Sequence, residues 1–140
     1  MKRLRALVAG LSACLALVAG AARAADADVS LIFVGDVMLD DGPGRLIAAG
    51  GDPLAKVAPL LAGADYRIAN LECSVSTRGQ GLPGKPYAFR ASPDALRVMQ
   101  GRFDAVAVAN NHSGDFGPDA FVDTLEHARR AGIQAFGGGR

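Results

Sequence analysis

Cysteine is nearly absent from this 140-residue sequence, which excludes a disulfide scaffold. Cys14 falls in an apolar leader and Cys73 is then left without a partner, even in an oxidising compartment. With no His close to it in sequence, Cys73 reads as a small buried apolar residue beside Glu72 rather than as a catalytic thiol. A basic excess is also missing. The chain carries 15 Lys and Arg against 14 Asp and Glu, and no cluster of them suggests a nucleic-acid surface. There is no internal repeat at a fixed period and no low-complexity tract beyond the terminal glycines, so the chain does not read as a repeat array.

What is present begins with an export signature. Lys2, Arg3 and Arg5 precede an apolar stretch from Ala6 to Ala21, and Ala22-Arg23-Ala24 offers small residues for cleavage. Residues 1–24 therefore read as a secretory signal peptide, and the stretch falls short of the roughly 20 apolar residues of a membrane anchor. Leu11-Ser12-Ala13-Cys14 resembles a bacterial lipobox, which would give a lipidated, membrane-associated form. The apolar Leu15-Ala16-Leu17-Val18 that follows favours the cleaved form, exported to the periplasm or cell envelope. Losing Lys2, Arg3, Arg5 and Arg23 leaves 11 basic residues against 14 acids, a net charge of about −3. Residues 25–140 suffice for one domain with a real core. Gly137-Gly138-Gly139-Arg140 directly after a strand reads as the N-terminal part of a longer protein.

Apolar runs and helical spacings alternate along these residues. Val29 to Gly35 is a continuous apolar run, as expected for a parallel strand covered on both faces. Pro53 to Leu61 has helical spacing with Asp52 as N-cap, and Tyr66 to Leu71 is a second strand. Ser74 to Pro86 is a long Gly, Ser and Pro-containing loop, of the kind that is more often functional than a mere connector. Ser92-Pro93-Asp94 opens a helix whose Leu96, Val98 and Met99 pack inward. Asp104 to Ala109 is a third strand. Pro118 to Ala131 is an amphipathic helix burying Phe121, Val122, Leu125 and Ala128 and ended by Gly132, and Ile133 to Phe136 is a fourth strand. Strand and helix alternation predicts an α/β fold with a parallel sheet and right-handed crossovers.

Three of the strands end on residues that can hold a metal or move a proton, and in parallel sheets such ends share one edge. Asp36 follows Gly35, where its carboxylate either caps the turn or ligates a divalent metal. Glu72 ends an apolar run, so it is either solvated or paired with a positive charge or metal. Asn70 is more simply an amide serving backbone groups in the turn. Asn110-Asn111-His112 places two amides and an imidazole after a buried strand, where they cannot build a core but can supply an oxygen ligand, a donor and a proton carrier. Asp115 either orients His112 or forms a turn with Gly114. His127, four residues after Asp123 on a helix, reads as one half of a surface pair.

Phe33-Val34-Gly35-Asp36-Val37-Met38-Leu39, Asn70-Leu71-Glu72, Phe103-Asp104-Ala105-Val106, Ala109-Asn110-Asn111-His112, Asp115-Phe116-Gly117 and Thr124-Leu125 together resemble the CapA family of poly-gamma-glutamate capsule biosynthesis proteins. The resemblance runs from Val29 to Gly139. It implies a fold like one half of the sandwich of calcineurin-like metallophosphatases. It further implies that Asp36, Glu72 and Asn111 bind manganese, zinc or similar divalent ions, that His112 acts on substrate, and that Asn70, Asn110 and Asp115 support them. Such phosphatases place a His two residues after the first acid, where this chain has Met38, and draw further His ligands from a C-terminal half; the ligand set is therefore expected to be incomplete here. The implied role is capsule biosynthesis or transport with metal-assisted hydrolysis, and the implied partners are an anionic surface polymer or capsule-synthesis membrane proteins. The alternatives are a non-catalytic component that binds polymer or partner, and a plain metallophosphoesterase.

Overall fold

The computed structural model describes residues 28–138. The expected signal peptide, Cys14, Gly139 and Arg140 lie outside them. Four parallel strands form the main sheet: β1 (Leu31–Val37), β2 (Tyr66–Leu71), β5 (Ala105–Ala107) and β6 (Gln134–Phe136), in the order β1-β2-β5-β6. A separate parallel pair joins β3 (Ser74–Val75) to β4 (Arg90–Ala91). Helix α1 covers Asp41–Ala48, α2 Ala58–Leu61 and α3 Gly117–Arg130, with a 3₁₀ helix at Pro93–Val98. The α/β class and the parallel sheet are those the alternating pattern predicts. Among the described residues no helix is long and apolar enough to cross a membrane.

The core lies on one face of the sheet. Leu71, Ala69, Val106 and Val108 are buried there with Leu39, Met99 and Ile133, and Phe121 and Leu125 of α3 pack against them. Fully burying one such Leu or Met side chain contributes about 1.5–3 kcal/mol. The other face is bare: Leu31 is 54 %, Phe33 70 % and Phe136 47 % exposed. This corrects the expectation that β1 is covered on both faces. Its run is apolar on both sides, but the helices of residues 28–138 pack on only one.

Other differences have local causes. Helix α2 is shorter than the spacing from Pro53 predicts, because Pro59 has no N–H to give to the carbonyl of Ala55. Residues 53–57 form turns, and Asp52 still accepts from the amide of Leu54 at 2.9 Å. The 3₁₀ helix replaces an α-helix after Ser92, although Leu96, Val98 and Met99 do pack inward. In α3, Ala120, Thr124 and Ala128 are the fully buried positions, while Val122 is 37 % exposed. Helix α1, which the sequence pattern misses behind Asp-Gly-Pro-Gly, is capped by Asp40: one carboxylate oxygen accepts from the amide of Asp41 and the other from the amide of Arg90. His127 forms no ion pair with Asp123, whose carboxylate takes Arg78 and Ser76 instead.

Candidate functional site

The parallel register brings the strand ends together. A shift in β1 between Phe33 and Asp36 sets Asp36 opposite Asn70 and Val37 opposite Leu71. Asn70 is in turn opposite Ala107, so the segment after β5 emerges beside the end of β2. The Asn70 amide nitrogen donates one hydrogen to Asp36 Oδ1 at 2.8 Å and the other to Glu72 Oε2. A carboxylate only accepts, so the nitrogen of this amide must face the two acids. Its oxygen accepts from Asn110 Nδ2 at 3.0 Å, and that nitrogen also reaches the Leu71 carbonyl at 2.9 Å. Asn70 is thus not the turn-capping amide expected from its position; it spaces two carboxylates.

Asn110 carries the network into the imidazole. Its side-chain oxygen accepts from the amide of His112 at 2.9 Å and from Ser113 Oγ at 3.2 Å, closing the turn after the strand. The His112 ring is buried, stacked at 50° against Phe89 with centroids 4.6 Å apart. Its Nε2 lies 3.7 Å from Glu72 Oε1 and its Nδ1 2.7 Å from Asp115 Oδ2. Asp115 is wholly buried and also accepts from Lys85 Nζ and from the amide of Phe89 at 2.7 Å. Burial pushes its carboxyl pKa up, but the hydrogen bonds from Lys85, His112 and Phe89 outweigh burial and hold it below the ordinary 3.8. Asp115 is therefore an acceptor, and His112 Nδ1 carries the hydrogen between them. Of its two expected roles, Asp115 takes the orienting one.

Asn111 is placed differently. It is exposed, and its side chain makes no hydrogen bond to Asp36 or Glu72 among the described residues, while its carbonyl accepts from Lys85 Nζ. It lines a cavity of about 230 Å³ with His112, Lys85, Pro86, Tyr87 and Phe89. On the other side, an apolar cleft of about 390 Å³ between β1 and α2 opens beside Asp36. Lys85 and Phe89 were not legible as site residues. They come from the long Gly and Pro-rich loop, and the only signal for them was that a buried Asp115 needs donors.

The donors partly suit a divalent ion. Neither Asp36 nor Glu72 has a Lys or Arg within ion-pair reach among the described residues, and two unneutralised carboxylates tied to one amide suit a hard or borderline cation. Met38 packs against the core. Among the described residues no three His, Cys, Asp or Glu side chains form an ion cage, so the acids come as a pair. Cys73, next to Glu72, is buried; burial raises its thiol pKa to about 11, which keeps it protonated.

A parallel α/β sheet with acids, amides and one imidazole at its strand ends defines a protein whose candidate site lies in a crevice at one sheet edge. The chain belongs to the bacterial capsule synthesis protein PGA_cap family, which it matches over residues 30–140. It is also similar to a "probable polyglutamine synthesis accessory protein" of Mycobacterium tuberculosis, in strains CDC 1551 / Oshkosh and H37Rv. Each is 36 % identical over 76 residues, covering 54 % of this chain and 20 % of the relative. The match thus spans about a fifth of those relatives' length.

Proposed function

We propose that this is an exported protein of poly-gamma-glutamate or capsule synthesis whose strand-end site performs metal-assisted hydrolysis. The observation that carries the reading is one hydrogen-bonded line, Asp36–Asn70–Glu72, with the buried His112 beside Glu72. Asp36 and Glu72 would hold a manganese- or zinc-type ion, with Asn111 joining through its exposed amide and the remaining ligands coming from water or from a longer chain. The ion supplies Lewis acidity at a phosphoryl or acyl oxygen and a lowered pKa for water. Asn70 sets the spacing of the two acids, and Asn110 fixes Asn70 and the His112 turn. Asp115 holds Nδ1–H, so Nε2 is the nitrogen left to take up a proton from water and then, as the imidazolium, to pass it to the leaving group. The partners in this reading are an anionic surface polymer or capsule-synthesis membrane proteins.

Metal analysis of the full-length mature protein, with a phosphoester assay, tests it. Glu72→Ala should lower manganese or zinc content by more than about tenfold while His127→Ala leaves it unchanged, and His112→Ala should abolish turnover with metal retained. Equal metal loss in the Glu72 and His127 variants would overturn the assignment. N-terminal sequencing of exported material should begin near Ala25; a lipidated Cys14 terminus would replace secretion by anchoring. The second reading, a non-catalytic polymer- or partner-binding component, is favoured by Met38 standing where a His ligand is expected. It predicts polymer binding that survives His112→Ala.

A further inference from the structure

The long loop between β3 and β4 wraps around one residue of the site. The Asp115 carbonyl accepts from the amide of Leu82 at 2.9 Å, and its carboxylate takes the Lys85 ammonium on Oδ1 and the Phe89 amide on Oδ2. Oδ2 is also the oxygen that meets His112 Nδ1. Lys85 additionally donates to the Asn111 carbonyl, so one ammonium grips both ends of the turn that carries His112. The start of the loop is fixed independently: Arg90 Nη1 donates to the carbonyls of Arg78 and Gly79 at 2.8 and 3.0 Å, and its guanidinium lies 4.3 Å from the Phe116 ring centre.

We propose that Lys85 is a positioning residue for His112, holding the Asp115 carboxylate in the rotamer that fixes the imidazole as its Nδ1–H form with Nε2 toward Glu72. The plainer role is charge balance for a buried carboxylate, which any nearby cation would fill. The contacts say more than that. Oδ2 serves His112 and Phe89 while Oδ1 takes Lys85, so the ammonium is the side-chain anchor on the far oxygen that sets the carboxylate's orientation. The grip on the Asn111 carbonyl sets the turn as well as the charge. These two acceptors take two of the three ammonium hydrogens.

This inference rests on reading His112 as the working group, but its test does not need turnover. Histidine-labelled full-length protein is followed by long-range ¹⁵N NMR, with the His112 signals assigned by their loss in His112→Gln. The wild type should show Nδ1 protonated in a single fixed form. Lys85→Met should convert this to an averaged tautomer pattern, Lys85→Arg should restore it, and Lys56→Met should leave it unchanged. If hydrolysis is found, Lys85→Met should lower kcat by about 10- to 100-fold at unchanged metal content. An unchanged His112 pattern in Lys85→Met overturns the proposal. So does a wild-type spectrum with Nδ1 unprotonated, a result that needs no variant to fold. Absence of turnover in the wild type would sink the hydrolase reading and leave the tautomer result standing.

Discussion

Asp115 and the pair Asp36 and Glu72 belong to one hydrogen-bonded network, yet the fold treats them oppositely. Asp115 is fully buried and saturated by an ammonium, an imidazole and a backbone amide. Asp36 and Glu72, at the strand ends, share a single amide and have no Lys or Arg within ion-pair reach among the described residues. A buried charge stripped of its partners is strongly destabilising, whereas Asp36 is exposed and Glu72, 15 % exposed, has its oxygen 3.7 Å from His112 Nε2. The difference separates acids that hold the structure from acids left free to bind something.

The comparison breaks most visibly at Asp115. Asp115→Ala should cost on the order of 3 kcal/mol, since it strands Lys85 and frees the loop and the His112 ring together; urea unfolding of the full chain measures it. The loop can also be broken without touching charge. Gly79 has φ +86°, and a Cβ there would come within 1.9 Å of the Phe116 carbonyl oxygen. Gly79→Ala should therefore cost roughly 1–3 kcal/mol and shift the His112 NMR signals. Asp36→Asn and Glu72→Gln should by contrast change stability by less than about 0.5 kcal/mol, or raise it slightly, because each relieves repulsion between two acids. A loss comparable to that of Asp115→Ala would erase the distinction.

Acid titration sharpens the same contrast away from the crevice. The Arg78 guanidinium, helped by the Ser76 hydroxyl, holds Asp123 far below its ordinary 3.8. A depressed folded-state pKa gives stability that is present above the unfolded value and lost as pH falls through the folded one. Asp123→Asn should flatten the loss of stability between about pH 4 and pH 2. Thermal midpoints across that range decide it.

What the sequence revealed follows the range of the forces involved. β2 is legible residue for residue, because Tyr66–Leu71 is a short, mostly apolar run bounded by Asp65 and Glu72, and α3 is legible within one residue at each end. Helix α1 is hidden because Gly42, Pro43 and Gly44 suppress its propensity, and the Asp40 cap and the burial of Ile47 hold it instead. The gathering of Asp36, Glu72 and His112 followed from parallel strands alone. Lys85 did not, since it sits in a loop with no periodicity and meets Asp115 across a sequence separation of 30 residues. The bare face of β1 was equally hidden, because an apolar run specifies a need for cover and not where the cover comes from.

The smallest effect concerns the neighbour of Glu72. Cys73 is adjacent in sequence to a candidate ligand, but it lies in the bend between β2 and β3, packs in the core cluster and is only 2 % exposed. Burial raises its pKa to about 11, so at about pH 8 only around one thiol in a thousand is ionised, and the thiolate is the reactive form. Native full-length protein treated with iodoacetamide should therefore remain unmodified at Cys73 by peptide mass spectrometry, with alkylation only after denaturant is added. Loading with manganese should leave that result unchanged, because a buried, protonated sulfur on the core side offers the ion no ligand. Rapid native alkylation, or protection that depends on metal, would place Cys73 in the crevice with Glu72 and overturn the division between core-facing and crevice-facing residues at this strand end.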